Sequence, residues 1–422
     1  MPNDNNILNF LNLKEEDVEE SSMHNDGNIV YFDITLKRKE CKCPNCFNMT
    51  KSVKDYSIKL INHTIFNDGR SSKIRYKQRR YYCSICKKSF IEDNPFTKAN
   101  DKVSRLIINN VIEKLKDPCR TYESIAKELN ISSTEVIKIF DENINYERLP
   151  FPKYLCIDEF HCSSTNSLTR YACFFLDFDN NKVIEVLKSR RKDYLINFLS
   201  KLPIEERKKV LHVCIDMWPT YKDVAKLYFP NAVISIDSFH VIQDIQKYLD
   251  SIRLDTMRKF DTDSKEYYLL KHFHWLLTKK YKGIKYNEPL YNKKLGYYVN
   301  HFNILELILD ISPTLKAAYE WKEKYCTFND NCNFKEAPEQ LDQLISDLKE
   351  LKILKMEPIT KTLKKWRQEI INSFIKYENI GRIHNGKIEG RNNTNKKLQR
   401  VSNGLANFKR YRNRIFHCIN NK

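Results

Sequence analysis

Three short apolar runs, each followed by an aspartate, constrain the fold of this chain more than any other feature. The runs cover 154–157, 210–215 and 232–236, and the residues that follow them are Asp158, Asp216 and Asp237. A hairpin pattern at 171–187 and helical patterns at 194–202 and 221–228 lie between them. The resulting order, β-β-β-α-β-α-β, predicts an α/β fold whose strand ends bring Asp158 and Asp216 to the same point.

Paired carboxylates at one edge of a sheet are suitable ligands for hard divalent cations. The strand order is the ribonuclease H-like arrangement, and phosphodiester cleavage without a covalent intermediate uses two metal ions about 3.5–4 Å apart. We therefore predict two Mg²⁺ (or Mn²⁺) ions at Asp158 and Asp216. Glu159 is set aside because successive strand side chains point to opposite faces. An isolated aspartate at a strand end is usually a turn or cap residue, so the prediction depends on the order of the strands.

The net charge of +19, from 73 basic and 54 acidic side chains, favours a polyanionic partner. The alternative is compositional drift in a chain rich in Lys, Asn and Ile. No apolar run is long enough to span a bilayer, and residues 15–20 are acidic where a signal peptide needs apolar residues. The sequence therefore predicts a cytoplasmic protein without a membrane partner.

Four of the 13 cysteines form two C-x-x-C pairs, Cys43 with Cys46 and Cys83 with Cys86. Each pair has the spacing of a zinc knuckle, and two knuckles predict a zinc ribbon with one structural Zn²⁺. Cys41 is a possible additional ligand. The strand pattern at 74–82 interleaves basic and aromatic residues, and we predict that its Arg79 and Arg80 contact phosphate; the alternative is a solvated edge strand protected by its charges.

The helical patterns at 103–116 and 121–140 predict a helix-turn-helix with its turn at Asn130. Ser132 and Glu135 have capping-box spacing at the start of the second helix. That helix would enter the major groove of DNA, and the residues facing DNA would be Ser133, Thr134 and Lys138. A plain helical hairpin is the alternative.

Several motifs then occur in a specific order, at 157–160, 214–221, 229–232, 237–241 and 384–393. With them, nearly the whole chain resembles the ISL3 family of bacterial insertion-sequence transposases. The resemblance implies a catalytic and metal-binding triad of Asp158, Asp216 and Glu389. It also implies that Asp237 and His240 support the core without binding the catalytic metals.

Residues 241–380 are predicted to form a helical insertion, which by resemblance positions transposon ends or dimerises the enzyme; the alternative is a scaffold with no DNA role. The helix that begins near Glu389 carries four cations predicted to contact DNA: Lys387, Arg391, Lys396 and Lys397. The basic run at 409–414 is either a further DNA contact or a solvated face.

Five regions are therefore expected: an N-terminal zinc-ribbon region, a helix-turn-helix domain, the first part of a ribonuclease H-like core, the helical insertion, and a C-terminal core helix with a basic tail. Their ranges are 1–95, 96–148, 149–240, 241–380 and 381–422. The predicted function is a DNA transposase that binds terminal inverted repeats and catalyses strand cleavage and transfer. It would act on double-stranded DNA as a homodimer or higher oligomer, associated with the bacterial nucleoid. Alternatives are a catalytically silent DNA-binding regulator and a structure-selective nuclease.

Overall fold

The computed structural model describes most of the chain, and its residues form two compact units. The described residues are 8, 11–63, 70–98, 101–162, 170–401 and 407–421. The first unit contains residues 1–147 and 394–422, and the second contains residues 148–393. No helix in the described ranges has the length and apolar character needed to cross a membrane.

The first unit begins with a five-stranded sheet. Its strands and the small cysteine hairpin are β1 (Val18–Asp26), β2 (Ile29–Leu36), β3 (Cys41–Lys42), β4 (Met49–Thr50), β5 (Val53–His63), β6 (Ser71–Tyr82) and β7 (Ser89–Ile91). The sheet order is β1-β2-β6-β5, with β7 paired to β6, and a short 3₁₀ turn at Glu15–Asp17 precedes it. Only β2 and β6 run parallel, and alternation along these strands buries Phe32, Ile61, Ile74 and Tyr76 in one core.

Three helices follow: α1 (Arg105–Lys114), α2 (Tyr122–Glu128) and α3 (Ser133–Asn143). Asn130 turns the chain between α2 and α3 with φ of 52°, a conformation that asparagine tolerates. The Ser132 hydroxyl accepts a bond from the Glu135 amide at 3.1 Å and begins α3. The reciprocal capping box forms one helix earlier, between Thr121 and Ser124.

The second unit contains a five-stranded sheet of order β10-β9-β8-β11-β12. Its elements are β8 (Tyr154–His161), β9 (Tyr171–Asp177), β10 (Lys182–Leu187), α4 (Lys192–Leu199), α5 (Ile204–Arg207), β11 (His212–Ile215), α6 (Pro219–Tyr228) and β12 (Val233–Ile236). Strands β8, β11 and β12 are parallel, whereas β9 is antiparallel to both of its neighbours. The first strand does not end at Asp158 as predicted, because β8 continues beside β9 to His161 after its parallel partner β11 has ended.

A region of helices follows the sheet and contains one element that the sequence did not predict. Its elements are α7 (Ser238–Met257), α8 (Lys265–His272), α9 (Trp275–Thr278), β13 (Leu290–Asn292), β14 (Tyr297–Val299), α10 (His301–Asp310), α11 (Pro313–Asn331), α12 (Ala337–Glu350), α13 (Glu357–Lys365) and α14 (Arg367–Asn372), with 3₁₀ turns at Tyr281–Gly283 and Leu354–Met356. The antiparallel hairpin β13–β14 corrects the prediction of a wholly helical insertion. One apolar core runs from the sheet into these helices and includes Leu155, Leu305 and Ile370, so the insertion is built onto the sheet.

The chain then forms β15 (Lys376–Tyr377), β16 (Gly381–Arg382), α15 (Gly386–Val401) and α16 (Phe408–Asn420). Helix α16 packs on helices α1, α2 and α3. The Nε2 atom of His417 donates to the Ile112 carbonyl at 2.7 Å, and its Nδ1 atom forms a hydrogen bond of 2.7 Å with the Tyr146 hydroxyl. The basic run is not a solvated tail. Arg414 is buried and donates to the carbonyls of Asp117 and Arg120, and Arg410 pairs with Asp141.

Candidate active site

The register of the three parallel strands places three aspartates side by side, at equivalent positions on neighbouring strands. Ile215 of β11 is opposite both Ile157 of β8 and Ile236 of β12. The next residues are therefore Asp216, Asp158 and Asp237, one on each strand path, and neighbouring strands lie about 4.8 Å apart. The carboxyl groups of Asp158 and Asp216 are close enough to interact by a hydrogen bond.

Burial, reinforced by the charge of Asp216, raises the pKa of Asp158 to about 8. The Glu159 amide donates to Asp158 Oδ1 at 2.7 Å, which opposes this rise without cancelling it. Two carboxylates this close together in a largely buried site repel each other unless a proton or a cation compensates their charge. The pair is therefore arranged to hold either a proton or a positive charge.

His240 supplies one positive charge. It lies in the first turn of α7, whose N-terminus is capped by Asp237, and its Nε2 is 2.7 Å from Asp216 Oδ1. Burial lowers the pKa of His240, but the bond to Asp216 and the charges of Asp216 and Asp237 raise it to about 9. Burial also raises the pKa of Asp237. Asp237 thus caps the helix that presents His240, and the supporting role of both residues stays a prediction.

Helix α15 reaches the two carboxylates through asparagines at its start and one turn beyond Glu389. Asn392 Nδ2 donates to Asp158 Oδ2 at 3.0 Å, and Asn385 Nδ2 donates to Asp216 Oδ1 at 3.2 Å. A spacing of seven residues puts both on one helix face, and position 389 lies on that face between them. Both asparagines are buried, and their Oδ1 atoms have no hydrogen-bond partner among the described residues.

Glu389 itself is exposed, and its carboxylate makes no hydrogen bond or ion pair within the described part of the chain. Its carboxylate does not lie close enough to Asp158 and Asp216 for the three to share one ion. Among the described residues, the one group of three or more possible metal ligands that lie this close together consists of four cysteines. The structure therefore brings together two members of the predicted triad and leaves the third exposed, on the helix face that carries Asn385 and Asn392. The signal for Asn385 and Asn392 was their spacing around Glu389.

At the start of α15, Gly386 leaves room for the side chain of His384. The Gly386 amide donates to His384 Nδ1 at 3.0 Å, and a Cβ atom at 386 would lie 2.8 Å from the same nitrogen. Lys387, the next residue, donates to the Phe178 carbonyl at 2.6 Å, and Arg391, one turn further along, donates to Asn181. These two cations, predicted to contact DNA, thus anchor the turn between β9 and β10.

Lys396 and Lys397 are exposed on the same helix. The residues predicted to face DNA from α3, namely Ser133, Thr134 and Lys138, are also exposed, with Lys138 4.0 Å from Glu135. Their surfaces remain available for the predicted contact.

Glu159 points to a different partner from Asp158. Its carboxylate pairs with Arg190, whose guanidinium group lies 4.2 Å from the ring centroid of Tyr171 and 4.6 Å from that of Trp218. This stacked cation holds Glu159 away from a metal-binding role. Nothing in the spacing of the sequence indicated Arg190.

The four predicted zinc ligands form one cluster, with all four Sγ atoms within 4.8 Å of one another. Cys43 Sγ lies 3.6 Å from Cys86 Sγ, and Cys46 Sγ lies 3.5 Å from Cys83 Sγ. Tetrahedral Zn–S bonds of about 2.3 Å require sulfur separations of about 3.8 Å, so this group can bind zinc. Cys41 lies outside the cluster.

The two cysteine knuckles share one backbone pattern. Phe47 and Lys87, which follow the second cysteine of each pair, have φ of 61° and 58°. Their amides donate back to the carbonyls of Cys43 and Cys83 at 2.9 and 2.8 Å. This local fold turns both thiols of each pair inward.

Arg79 is not on the exposed face where the sequence placed it. Only 2% of its side chain is exposed; it donates to Glu19 and lies 3.6 Å from Glu92. The alternation of buried and less buried positions along β6 breaks between Gln78 and Arg79, which are both buried, and β5 has a register shift opposite the following residues Arg80 and Tyr81. Arg80 remains at the surface beside Asp55, as expected.

A mixed α/β core with paired strand-end carboxylates is consistent with the fold of a DDE transposase. Residues 155–415 match the model of the ISL3 family of DDE transposases, described as "Transposase". The match covers more than half of the chain, so the chain belongs to this family, as its motifs indicated. It is also similar to the transposase for insertion sequence element IS1001 of Bordetella parapertussis, with 27% identity over 128 residues. That stretch is 30% of this chain and spans only 31% of the relative's length.

Proposed function

We propose that this protein cleaves and joins DNA strands as the transposase of an insertion sequence, using a ribonuclease H-like core. The observation that carries the proposal is the register that makes Asp158 and Asp216 neighbours, under a helix that bonds to both of them. The strand order β10-β9-β8-β11-β12, with β9 antiparallel to both of its neighbours, supports the ribonuclease H-like core of this proposal. Membership of the ISL3 family supports DNA as the substrate.

The residues at this site fit divalent cations. Their donors are carboxylate and amide oxygens, which Mg²⁺ and Mn²⁺ prefer, and the buried Oδ1 atoms of Asn385 and Asn392 have no hydrogen-bond partner within the described ranges. The raised pKa values of Asp158 and His240 support a site at which a cation compensates the charge of the carboxylate pair. We infer that Asp158, Asp216 and Glu389 hold two such ions. The ions would supply Lewis acidity to the attacking and leaving oxygens of the phosphodiester.

The protein's own groups orient this site. Asn392 fixes one oxygen of Asp158 and Asn385 fixes one oxygen of Asp216. Rotation of the exposed Glu389 side chain would add a third carboxylate, because position 389 shares their helix face. His240 pairs with Asp216.

DNA recognition is assigned to the first unit. We infer that α2 and α3 act as a helix-turn-helix on terminal inverted repeats, with Ser133, Thr134 and Lys138 reaching the DNA. Arg80, Lys396 and Lys397 would add phosphate contacts. The zinc-binding knuckles would stabilise the neighbouring sheet, and two chains would be needed to pair two transposon ends.

Strand cleavage on labelled DNA ends tests the proposal. Asp158→Asn, Asp216→Asn and Glu389→Gln variants are expected to lose cleavage with Mg²⁺ or Mn²⁺ while still binding the ends. Asp223→Asn is the matched control, because Asp223 is an exposed acid paired with Lys192. Wild-type nicking by any of the three variants would contradict its assigned role.

The exposed Glu389 is the one observation that favours a catalytically silent DNA-binding regulator. The same assay decides between the two functions. A regulator would bind the ends but leave them intact with either metal, even in the wild-type protein.

A further inference from the structure

The unpredicted hairpin β13–β14 and the loop before it expose an unusual set of large apolar side chains. Their exposed fractions are 63% for Tyr286, 68% for Leu290, 55% for Tyr291, 45% for Tyr297 and 69% for Tyr298. The rings of Tyr291 and Tyr298 lie across the strand pair with centroids 5.4 Å apart. Contiguous exposed apolar surface on a folded chain usually marks a binding site. We call this surface the tyrosine hairpin.

The tyrosine hairpin is fixed to the unit beneath it. Leu295 and Val299 are each 4% exposed and belong to the large apolar core. Its turn is closed by the Asn292 side chain, which accepts from the amides of Lys294 and Leu295. Gly296, with φ of +90°, completes the turn. The aromatic rings are therefore held outward by a buried base and an ordered turn.

The charge around the rings has one sign. Lys282, Lys285, Lys293 and Lys294 are exposed, and none forms an ion pair with a described residue. Glu288 is the only acid between positions 281 and 299. Four free lysines beside five aromatic or apolar side chains complement a polyanion that also offers flat apolar faces.

We propose that the tyrosine hairpin binds unpaired bases of DNA, as found in a single strand or an opened end. Base faces are accessible for stacking only when bases leave the duplex, and lysines beside the rings can contact the phosphates. A second copy of this chain is a poor occupant because two sets of unpaired lysines would face each other. The inference rests on the proposed function in one respect, that the partner is DNA.

The experiment compares binding of the full-length protein to a labelled single strand and to its duplex by fluorescence anisotropy. Tyr291→Ala with Tyr298→Ala is expected to weaken single-strand binding about tenfold for each base that loses its ring. Duplex binding should change less than about twofold, because the helix-turn-helix surface is untouched. Tyr291→Phe with Tyr298→Phe should retain binding, because the rings remain. Both side chains are exposed, so an unchanged melting temperature will confirm that the variants fold.

A lysine series gives an independent readout. Lys293→Gln with Lys294→Gln should reduce the salt dependence of single-strand binding by about 0.7 per lost phosphate contact. Lys335→Gln with Lys361→Gln is the matched control, because both lysines are exposed in the same unit outside the hairpin.

The inference is overturned if the alanine pair binds single strands as tightly as the wild-type protein, or if it loses single-strand and duplex binding equally. It is also overturned if sedimentation shows that the wild-type protein is a dimer and the alanine pair a monomer, because the hairpin would then bind a second copy of the chain. Cleavage assays separate it from the proposed function. If the wild-type chain never cleaves DNA but the alanine pair loses single-strand binding, the proposed function fails and this inference stands. If cleavage proceeds and the alanine pair binds single strands normally, only this inference fails.

Discussion

Replacing Arg79 by alanine should destabilise the first unit, whereas the same change at the adjacent Arg80 should not. Arg79 is 2% exposed and neutralises Glu92, whose side chain is only 9% exposed. Without Arg79, the Glu92 carboxylate keeps bonds from the Tyr76 hydroxyl and from the backbone amide at 79 but loses its countercharge. Arg80 pairs with Asp55 at 3.4 Å, and both side chains are nearly half exposed.

The magnitude follows from the distance between the charges. Arg79 Nη1 and Glu92 Oε2 are 3.6 Å apart. Coulomb's law at an effective dielectric constant of about 20 gives roughly 4.6 kcal/mol for unit charges at that distance. Removing one partner of a buried pair costs about 3–5 kcal/mol, which agrees. The two bonds that Glu92 retains reduce the loss, so we expect about 3 kcal/mol for Arg79→Ala and below about 1 kcal/mol for Arg80→Ala.

Thermal unfolding with hydrogen exchange of β6 provides the assay. For a unit of this size, about 3 kcal/mol corresponds to a melting temperature roughly 6–12 °C lower. Amides of β6 should exchange faster in Arg79→Ala and normally in Arg80→Ala. The reasoning is refuted if Arg79→Ala melts like the wild-type protein and instead weakens DNA binding as much as Arg80→Ala.

Three further predictions concern the metal sites and the carboxylate pair. Asp158 must lose its proton before it binds a cation, and burial raises its pKa to about 8. The affinity for Mn²⁺, measured by calorimetry, should therefore rise about tenfold per pH unit from pH 6 to pH 8. A constant affinity over this range would contradict the prediction. Asn392→Ala should slow strand cleavage about 10–100-fold without weakening end binding, whereas the exposed neighbour in Asn393→Ala should not matter. Cys46→Ser should release the zinc detected by elemental analysis, while Cys41→Ser should retain it; equal zinc content in both would exclude the four-cysteine site.

Local patterns were sufficient to predict the elements that place Asp158 and Asp216. The apolar runs, their spacing and the rule that parallel strands end at one edge of the sheet predict that Asp158 and Asp216 are neighbours. The cysteine cluster is similar, because C-x-x-C spacing specifies a local fold. The position of Glu389 required the family resemblance, since a long insertion separates it from Asp216.

Interactions between distant segments were not predictable in the same way. Arg79 is buried against Glu19 and Glu92, two acids distant from it in sequence, and no property of residues 75–82 alone shows it. The tyrosine hairpin falls in the region that the helical pattern of the sequence predicts to be helical, although β-forming aromatics on either side of a Lys-Lys-Leu-Gly turn favour a hairpin. Arg190 stacks on residues that lie far from it in sequence, so only the fold reveals its contact with Glu159.

The packing of α16 has a consequence for the order in which the protein can fold during synthesis. His417 and Cys418 bond to carbonyls of residues 112 and 115, and Phe140 packs edge-on against the His417 ring. During synthesis, part of the apolar surface of α1 and α3 therefore stays uncovered until α16 has also been translated. A nascent chain is thus expected to complete its predicted DNA-binding helices only after the predicted catalytic core has been translated.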